Sequence, residues 1–404
     1  MPGIPLFAEI VFFTILGIGA GIITGLTPGL HVNLVATTLF ALSPLLLAHV
    51  SPLSLAVFII ALSVVHSFLD TIPSVYLGAP ENENALSVLP GQKMLLQGEG
   101  YQAVKITILG TFFGLITAVF LIPLFIGIAS WLYPLLQPFL GYLLCAIIAY
   151  MLVKEEKRFW SALVFFSSGA LGLLVFSFSG LSEPLFPLLS GLFGLSGLVI
   201  SFSENTSIPT QHCSSEIELS RTELGKAILG SSLGVFLIQF FPGMGPAQGA
   251  VIANQVIPNT GDRGYLAMVG AMGTMSVVFS LVTFYTLGKA KDGTIVVISK
   301  LLEIDLNSFL ILVFVFLVAG SVSVFLTLFF SKVFSRLIVK VNYRMLVVSI
   351  MLFIVGMCIV LNGALGVLVL VTATAIGLIA PLVGVGRNHA MGCLILPVIL
   401  YFMF

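Results

Sequence analysis

Long apolar stretches, each close to the length of a membrane-spanning helix, alternate along the chain with short polar segments. The stretches are continuous rather than alternating residue by residue, so they predict α-helices and not the strands of a β-barrel. We expect about 10–12 membrane segments, some of them too short to cross a bilayer. The expected apolar segments are 10–25, 31–47, 51–68, 101–130, 131–153, 159–178, 185–202, 224–256, 264–287, 309–330, 346–361, 363–383 and 390–404.

A Pro-Gly break interrupts the first apolar region. Thr24 to Asn33 reads TGLTPGLHVN, with polar and small residues between two apolar runs. Pro28 lacks a backbone N–H and Gly29 permits a positive φ, so a helix that enters this stretch should end or unwind here. A broken helix at membrane depth is tolerated where it is buried in protein or lines a polar cavity.

A second break of the same kind, QFFPGMGPAQ at 239–248, lies in the other half of the chain. A pair of interrupted apolar segments in corresponding positions of two halves is typical of a transporter built from inverted repeats, with its substrate site between the breaks. We therefore expect a first membrane repeat at 1–202, a polar connector at 203–222 and a second repeat at 223–404. The alternative is that these are simply Pro and Gly residues, which membrane helices tolerate well.

The composition excludes most other classes of protein. Hydrophobic residues make up 59% of the 404 and charged residues only 8%, which predicts an all-α, multi-pass protein of the cell membrane. The net charge is zero, and nothing indicates a nucleic-acid partner. The basic residues of 331–345 recur every four residues without a nearby acid, which favours a cytoplasmic position against anionic lipid headgroups. These residues are Lys332, Arg336, Lys340 and Arg344.

The two breaks are the strongest candidates for a substrate site. An apolar, helix-forming run follows each break, so free N–H groups at the start of a half-helix could hold an anion without a buried Lys or Arg. A packed kink is the structural alternative. The candidate substrate-binding residues are Thr27, Pro28, Gly29, His31, Asn33, Pro242, Gly243, Gly245 and Gln248.

Two ionisable residues close the span 51–68. His66 and Asp70 are four residues apart and so share one helical face, where they could carry a proton or bind Na⁺ as the coupling ion. Alternatively, Asp70 lies at the interface and caps the next helix. We expect no bound cofactor or resident metal, because the four cysteines are scattered and form no metal-ligand spacing.

Other charged residues have simpler expected roles. Lys93 and Lys105 could guide an anion toward the site, but we expect them to extend toward the interface. His389, beside Arg387 and Asn388, could meet an anionic substrate, but we expect it to contact headgroups. The segment 85–97 is amphipathic and too short to span, which predicts a re-entrant or interfacial hairpin.

The Gly-rich first helix, the PGL and PGMG loops, and the hairpin YLGAPENENALSVLPGQKMLLQGEGYQAVKITILG at 76–110 resemble the TctA family, the large permease subunit of tripartite tricarboxylate transporters. The resemblance implies ion-coupled uptake of a small carboxylate anion. It also implies assistance from a small membrane subunit and an extracytoplasmic binding protein. The chain departs from the family in being shorter and in having His31 and Asn33 after the first loop, so the resemblance does not carry over a substrate.

Two alternatives to a carboxylate transporter remain open. The twin Pro-Gly loops also resemble a family of polyprenyl-phosphate translocases, which would make a lipid carrier the substrate. A membrane-embedded lipid-phosphate hydrolase could use His31, His66 and Asp70 in acid–base chemistry. However, the chain has no HExxH motif, so we expect a non-enzyme. No GxxxxGK[ST] motif for ATP is present, and we leave open a homo-oligomer.

Overall fold

The computed structural model describes residues 6–28, 32–78, 88–203, 208–214, 216–240, 244–258, 260–340 and 343–403. Every regular element in these ranges is helical, and seven of their helices are long and apolar enough to cross a membrane. The chain is therefore an all-α, multi-pass membrane protein, as the sequence predicts.

The helices follow one another in this order: α1 (Leu6–Leu26), α2 (Val32–Leu46), α3 (Pro52–Leu69), α4 (Thr71–Leu77), α5 (Val88–Leu96), α6 (Gly100–Leu136), α7 (Leu140–Lys154), α8 (Arg158–Ser177), α9 (Leu185–Leu189), α10 (Ser196–Ser203), α11 (Arg221–Gln239), α12 (Pro246–Val256), α13 (Gly261–Leu287), α14 (Gly293–Leu301), α15 (Leu306–Ile338), α16 (Tyr343–Val383) and α17 (Gly392–Met403). A π-helical stretch, Ser190–Leu195, joins α9 to α10, and 3₁₀ turns precede α7 and α17. Gly363 breaks α16 into two arms with a positive φ of 61°.

Local capping explains where several of these helices begin and end. The Ser51 side chain accepts the N–H of Ser54 at the start of α3, where Pro52 occupies the first helical position. A reciprocal capping box between Ser220 and Glu223 starts α11. Gly288, with a φ of 65°, ends α13 in the left-handed conformation that glycine adopts most readily.

The two halves of the chain contain the same sequence of elements. In each, a helix and a shorter helix flank a Pro-Gly break, and a long buried helix follows. Next come a nine-residue helix (α5 in the first half, α14 in the second) and a helix of more than 30 residues (α6 and α15). This order supports two repeats, while the boundaries 1–202, 203–222 and 223–404 stay a prediction.

Matched helices of the two halves run in opposite directions. The Tyr76 hydroxyl, in the helix that continues α3, lies 3.2 Å from the carbonyl oxygen of Ser331 near the end of α15. A Cβ placed on Gly100, at the start of α6, would lie 3.3 Å from the ring of Tyr76. The start of α6 and the end of α15 therefore lie at the same end of the bundle. The start of α13 lies there too, because Arg263 pairs with Glu99 at 2.9 Å.

We call this end of the bundle, which holds Gly100 and Gly261, face B, and the opposite end, which holds Ser51, face A. The Glu9 carboxylate accepts the Ser54 hydroxyl at 2.7 Å, so α1 begins at face A beside the start of α3. The arm α2 leads directly into α3 and so returns to face A. The pair α1–α2 is therefore a hairpin that enters from face A and goes back to it.

The pair α11–α12 forms the corresponding hairpin from face B. Glycines of α11 pack on α13 in register, with Gly230 against Met268 and Gly234 against Met272, so these two helices run parallel from face B. The arm α12 leads into the start of α13 and so returns to face B. Two hairpins thus enter from opposite faces, and each has a Pro-Gly break between its arms.

Close glycine contacts hold the long helices together. A Cβ on Gly110 of α6 would lie 2.0 Å from the carbonyl oxygen of Ala267, and one on Gly270 of α13 would lie 2.4 Å from that of Thr107. Small residues that let two backbones touch are the usual basis of helix association in membranes. Helix α13 is buried along its length and forms the centre of the protein.

The structure corrects the predicted limits of two spans. The sequence placed a boundary between 130 and 131, but α6 continues through Trp131 to Leu136. The next helix, α7, has only 15 residues. A continuous apolar sequence does not show where one helix stops, because the turn at Gln137–Phe139 lacks a strong polar signal.

The connector is attached to the first half rather than freely solvated. The Gln211 side-chain oxygen accepts the N–H of Gly100 at 2.8 Å, and the Gln102 amide donates to the Glu216 carbonyl at 2.6 Å. Lys105, which we expected to extend toward the interface, is buried instead. Its ammonium donates to the carbonyl oxygens of Ser214 and Glu216 at 2.7 and 2.5 Å.

Candidate functional site

The first break follows the last turn of α1. The Thr27 hydroxyl donates to the carbonyl oxygen of Ile23 at 2.7 Å, and Pro28 comes directly after it. The predicted site residues Gly29 and His31 lie outside the described residues, as does the side chain of Asn33. Of the predicted site residues at this break, Thr27 and Pro28 are therefore described, and they follow the last residue of α1 directly.

Helix α1 brings this break against the end of α3. A Cβ on Gly17, Gly21 or Gly25 would lie within 2.8 Å of α3 atoms, so the two helices touch along their length. At Gly25 the contacts are Leu69 Cβ at 2.8 Å and the His66 carbonyl oxygen at 3.0 Å. The structure therefore brings the first break together with the predicted coupling residues, which are some 40 residues away in sequence.

His66 and Asp70 are buried inside a membrane span. Their exposed fractions are 4% and 2%, and the apolar region that contains them continues to Leu77, about 10 Å beyond Asp70 at the helical rise. Asp70 occupies the N-cap position of α4 but makes no side-chain capping hydrogen bond there. An ionisable residue buried inside a membrane span normally has a function.

The second break lies between Gln239, the last residue of α11, and Pro246, the first of α12. The Gln248 side-chain oxygen accepts the N–H of Gly245 at 2.8 Å and so caps the start of α12 from within. Gln239 is anchored to α13, where its amide donates to the Ser276 carbonyl at 2.8 Å. Two predicted site residues, Pro242 and Gly243, lie outside the described residues.

Helix α14 connects the surroundings of the two breaks. It packs on α2, with the Lys300 ammonium 5.4 Å from the centre of the Phe40 ring. Val296 and Ser299 of the same helix line a cavity whose wall includes Gln239 and Phe240, at the second break. One short helix of the second half therefore contacts the first hairpin through α2 and also lines the cavity at the break of the second hairpin.

The cavity at the second break has a volume of about 500 Å³ and contains two cations. Lys289 and Lys291 line it from the turn between α13 and α14. From the sequence, we assigned this turn no role. Its one available signal was a pair of lysines immediately after a long apolar span.

A second cavity, of about 660 Å³, opens at face B. Its wall includes Lys93, Asp262, Asn254 and Arg387. Lys93 and Asp262 form an exposed ion pair at 2.5 Å, which raises the pKa of the lysine. Burial lowers the pKa of Arg387 to about 10, but at this value the guanidinium remains charged near neutrality.

The expectation that His389 contacts lipid headgroups is wrong. Its side chain is completely buried, and its Nε2 lies 2.9 Å from a carboxylate oxygen of Glu155 in the α7–α8 turn. The pair ties the last helix to the middle of the chain. No group of three or more His, Cys, Asp or Glu side chains suited to a metal ion occurs among the residues that the structure describes.

Comparison with known proteins identifies the family. The sequence pattern of the tripartite tricarboxylate transporter TctA family matches residues 11–392, nearly the whole chain. The chain belongs to this family. An uncharacterized protein of Methanocaldococcus jannaschii is 30% identical in an alignment that covers 97% of this chain and 99% of the relative. No solved structure matches the chain.

Family membership gives the class of the protein. TctA proteins are the large membrane subunits of tripartite transporters, so the chain is a member of a family of transport permeases, which is consistent with the expectation of a non-enzyme. The polyprenyl-phosphate translocase and the lipid-phosphate hydrolase are not favoured by this result.

Proposed function

We propose that this TctA-family chain is a secondary transporter that moves a small carboxylate anion by ion-coupled alternating access. The observation that carries the proposal is the pair of broken hairpins that enter from opposite faces. In such an arrangement, each face has one hairpin whose movement can open or close a path to a shared site. The proposal extends the family assignment to a mechanism and a class of substrate.

In this proposal, the substrate lies between the two Pro-Gly breaks. The starts of α2 and α12 point into the breaks, and the first turn of a helix offers free N–H groups and a partial positive charge to an anion. Gly245 and Gln248 keep the start of α12 in place through their own hydrogen bond. Gln248 therefore acts by shaping the backbone around the substrate.

His66 and Asp70 are the proposed site of the coupling ion, either H⁺ or Na⁺. They lie where the last turn of α1 touches α3, and the last carbonyl groups of a helix carry a partial negative charge that favours a cation. A cation here would lie next to the first break, so its binding could be linked to binding of the anion. No other cofactor is required.

The family also suggests how the protein is assembled. We propose that the chain resides in the cell membrane, with the basic segment 331–345 on the cytoplasmic side, where it contacts anionic lipids. It works with a small membrane subunit and an extracytoplasmic binding protein that delivers the anion, and it can form a homo-oligomer.

Ligand-induced thermal stabilisation of the purified chain tests the proposal without partner subunits. A ligand that binds the folded state raises its apparent stability by mass action. The probes are citrate, succinate, phosphate and a polyprenyl phosphate, each with and without Na⁺ and at two pH values. We expect stabilisation by a carboxylate that depends on Na⁺ or on pH. Stabilisation by polyprenyl phosphate alone would refute the carboxylate proposal.

The coupling residue has a matched control variant. Asp70→Asn should retain some carboxylate stabilisation but lose its dependence on Na⁺ or pH. Asp305→Asn removes the same charge at the start of α15, where Asn caps a helix as well as Asp does, and should behave like the unmodified protein. If both variants keep the ion dependence, Asp70 does not bind the coupling ion.

A further inference from the structure

The turn between α13 and α14 folds back along α13 toward the second break. The Ser280 hydroxyl oxygen accepts the backbone N–H groups of Lys291 at 3.1 Å and Asp292 at 2.8 Å. Ser280 lies two turns before the end of α13 at Leu287. These bonds hold Lys291 beside the helix rather than beyond its end.

This position brings Lys291 to the end of α11. Its ammonium donates a short hydrogen bond to the carbonyl oxygen of Ile238, in the last turn before the second break. The final carbonyl groups of a helix lack intrahelical partners and favour a cation. One of the three ammonium donors is used in this way, which leaves two for other partners.

Lys291 forms no ion pair with a carboxylate in the part of the chain that the structure describes. The neighbouring carboxylate of Asp292 accepts the N–H of Thr294 at 2.9 Å and caps α14. The ammonium itself is enclosed by protein although the residue as a whole is half-buried, and this enclosure lowers the pKa of Lys291 to about 7. Buried cations are normally paired with an anion.

The cavity beside this ammonium provides room for such an anion. The cavity measures about 500 Å³, and Gln239 and Phe240, the last described residues before the break, form part of its wall. The charged residues that line it are Lys289 and Lys291 of the turn, whereas the described residues that α11, α13 and α14 present to it are uncharged. The carboxylate of Asp292, the next residue in the turn, acts on the Lys291 ammonium through its charge. The first break, in contrast, lies beside a buried carboxylate.

We infer that Lys291 is an anion-binding residue, and that its ammonium pairs with a carboxylate group of the substrate at the second break. The inference rests on the proposed function and adds a charged contact to a site otherwise made of backbone. In this inference, the two halves of the chain bind ions of opposite charge. The first break holds the coupling cation near Asp70, and the second neutralises the transported anion through Lys291.

The test measures thermal stabilisation by citrate and by sulfate. The pH series uses sulfate, because the charge of sulfate stays constant between about pH 6 and about pH 9, whereas the third carboxyl group of citrate titrates near the lower limit. If the anion binds only the protonated amine, its apparent Kd should rise about tenfold per pH unit above the pKa of Lys291. Lys291→Gln should weaken binding by about tenfold or more at pH 6. Lys291→Arg should keep binding at both pH values, since a guanidinium remains charged.

Lys332→Gln is the matched control, because Lys332 is exposed on α15 near face B, and it should leave binding unchanged.

Equal citrate binding by Lys291→Gln and the unmodified protein would overturn the inference but not the proposed function. Binding of sulfate alone, lost in Lys291→Gln, would keep the anion site and refute the carboxylate proposal. If Lys291→Gln fails to fold, the pH dependence of sulfate binding is compared between the unmodified protein and Lys291→Arg. Binding that weakens at high pH in the unmodified protein but not in Lys291→Arg supports the inference, whereas the same pH dependence in both overturns it. No stabilisation by either anion would overturn both proposals.

Discussion

Adding one methyl group to α1 should have opposite effects at two glycines that lie two positions apart. A Cβ on Gly21 would lie 2.6 Å from the Val65 Cβ and 2.8 Å from the Leu62 carbonyl oxygen, whereas one on Gly19 meets nothing within 4 Å. Ordinary contacts begin near 3.4 Å. Gly21→Ala therefore requires α1 and α3 to separate by about 0.8 Å near the first break.

The magnitudes of the two effects can be worked out from these contacts. Overpacking of this kind costs about 1–3 kcal/mol, while Ala in place of Gly within a helix returns about 0.5–1 kcal/mol. The net destabilisation at Gly21 is then between about 0 and about 2.5 kcal/mol, and Gly19→Ala should stabilise by up to about 1 kcal/mol. At roughly 2–4 °C per kcal/mol, Gly21→Ala should lower Tm by up to about 10 °C, whereas Gly19→Ala should not lower it.

The assay is the thermal unfolding of the two variants in the same detergent, followed by intrinsic fluorescence. Because α1 moves away from His66, Gly21→Ala should also reduce the Na⁺ or pH dependence of ligand stabilisation, and Gly19→Ala should not. Equal Tm values for the two variants would show that α1 does not pack on α3 as described. A lower Tm for Gly21→Ala with unchanged ion dependence would separate this interface from the coupling site.

Three further predictions concern contacts that attach distant segments. Lys105→Met should remove the side-chain donor to the Ser214 carbonyl and one of the two donors to the Glu216 carbonyl, and so make the connector more sensitive to limited proteolysis; an unchanged cleavage rate would refute this role. Tyr76→Phe removes the hydrogen bond to Ser331 and should cost about 0.5–1.5 kcal/mol in thermal unfolding, whereas a stability loss much above this range would indicate a larger role. Lys93→Gln breaks an exposed ion pair with Asp262 and should hardly change thermal stability, and any difference from the unmodified protein should disappear at high salt.

Several features of the protein were predictable because they depend on local sequence. The number and apolar character of the runs require a helical membrane protein, since backbone polar groups in lipid must be paired within the segment. Pro28 and Pro242 mark the two breaks because proline cannot continue the hydrogen bonding of a helix interior. The amphipathic pattern of 85–97 predicted a segment too short to span, but not that its described part forms one continuous helix, α5, rather than a hairpin.

Only the tertiary structure could decide which distant residues meet. His66 lies beside the first break because glycines of α1 let its backbone touch α3, and no local pattern specifies that partner. His389 is buried and pairs with the partly exposed Glu155, more than 200 residues away, whereas the sequence around His389 suggested an exposed position. Lys291 lies at the second break because Ser280 folds the turn back along α13. The apolar pattern of the sequence determines which segments enter the membrane. The close packing of helix surfaces determines which charged residues of different segments come together at one site.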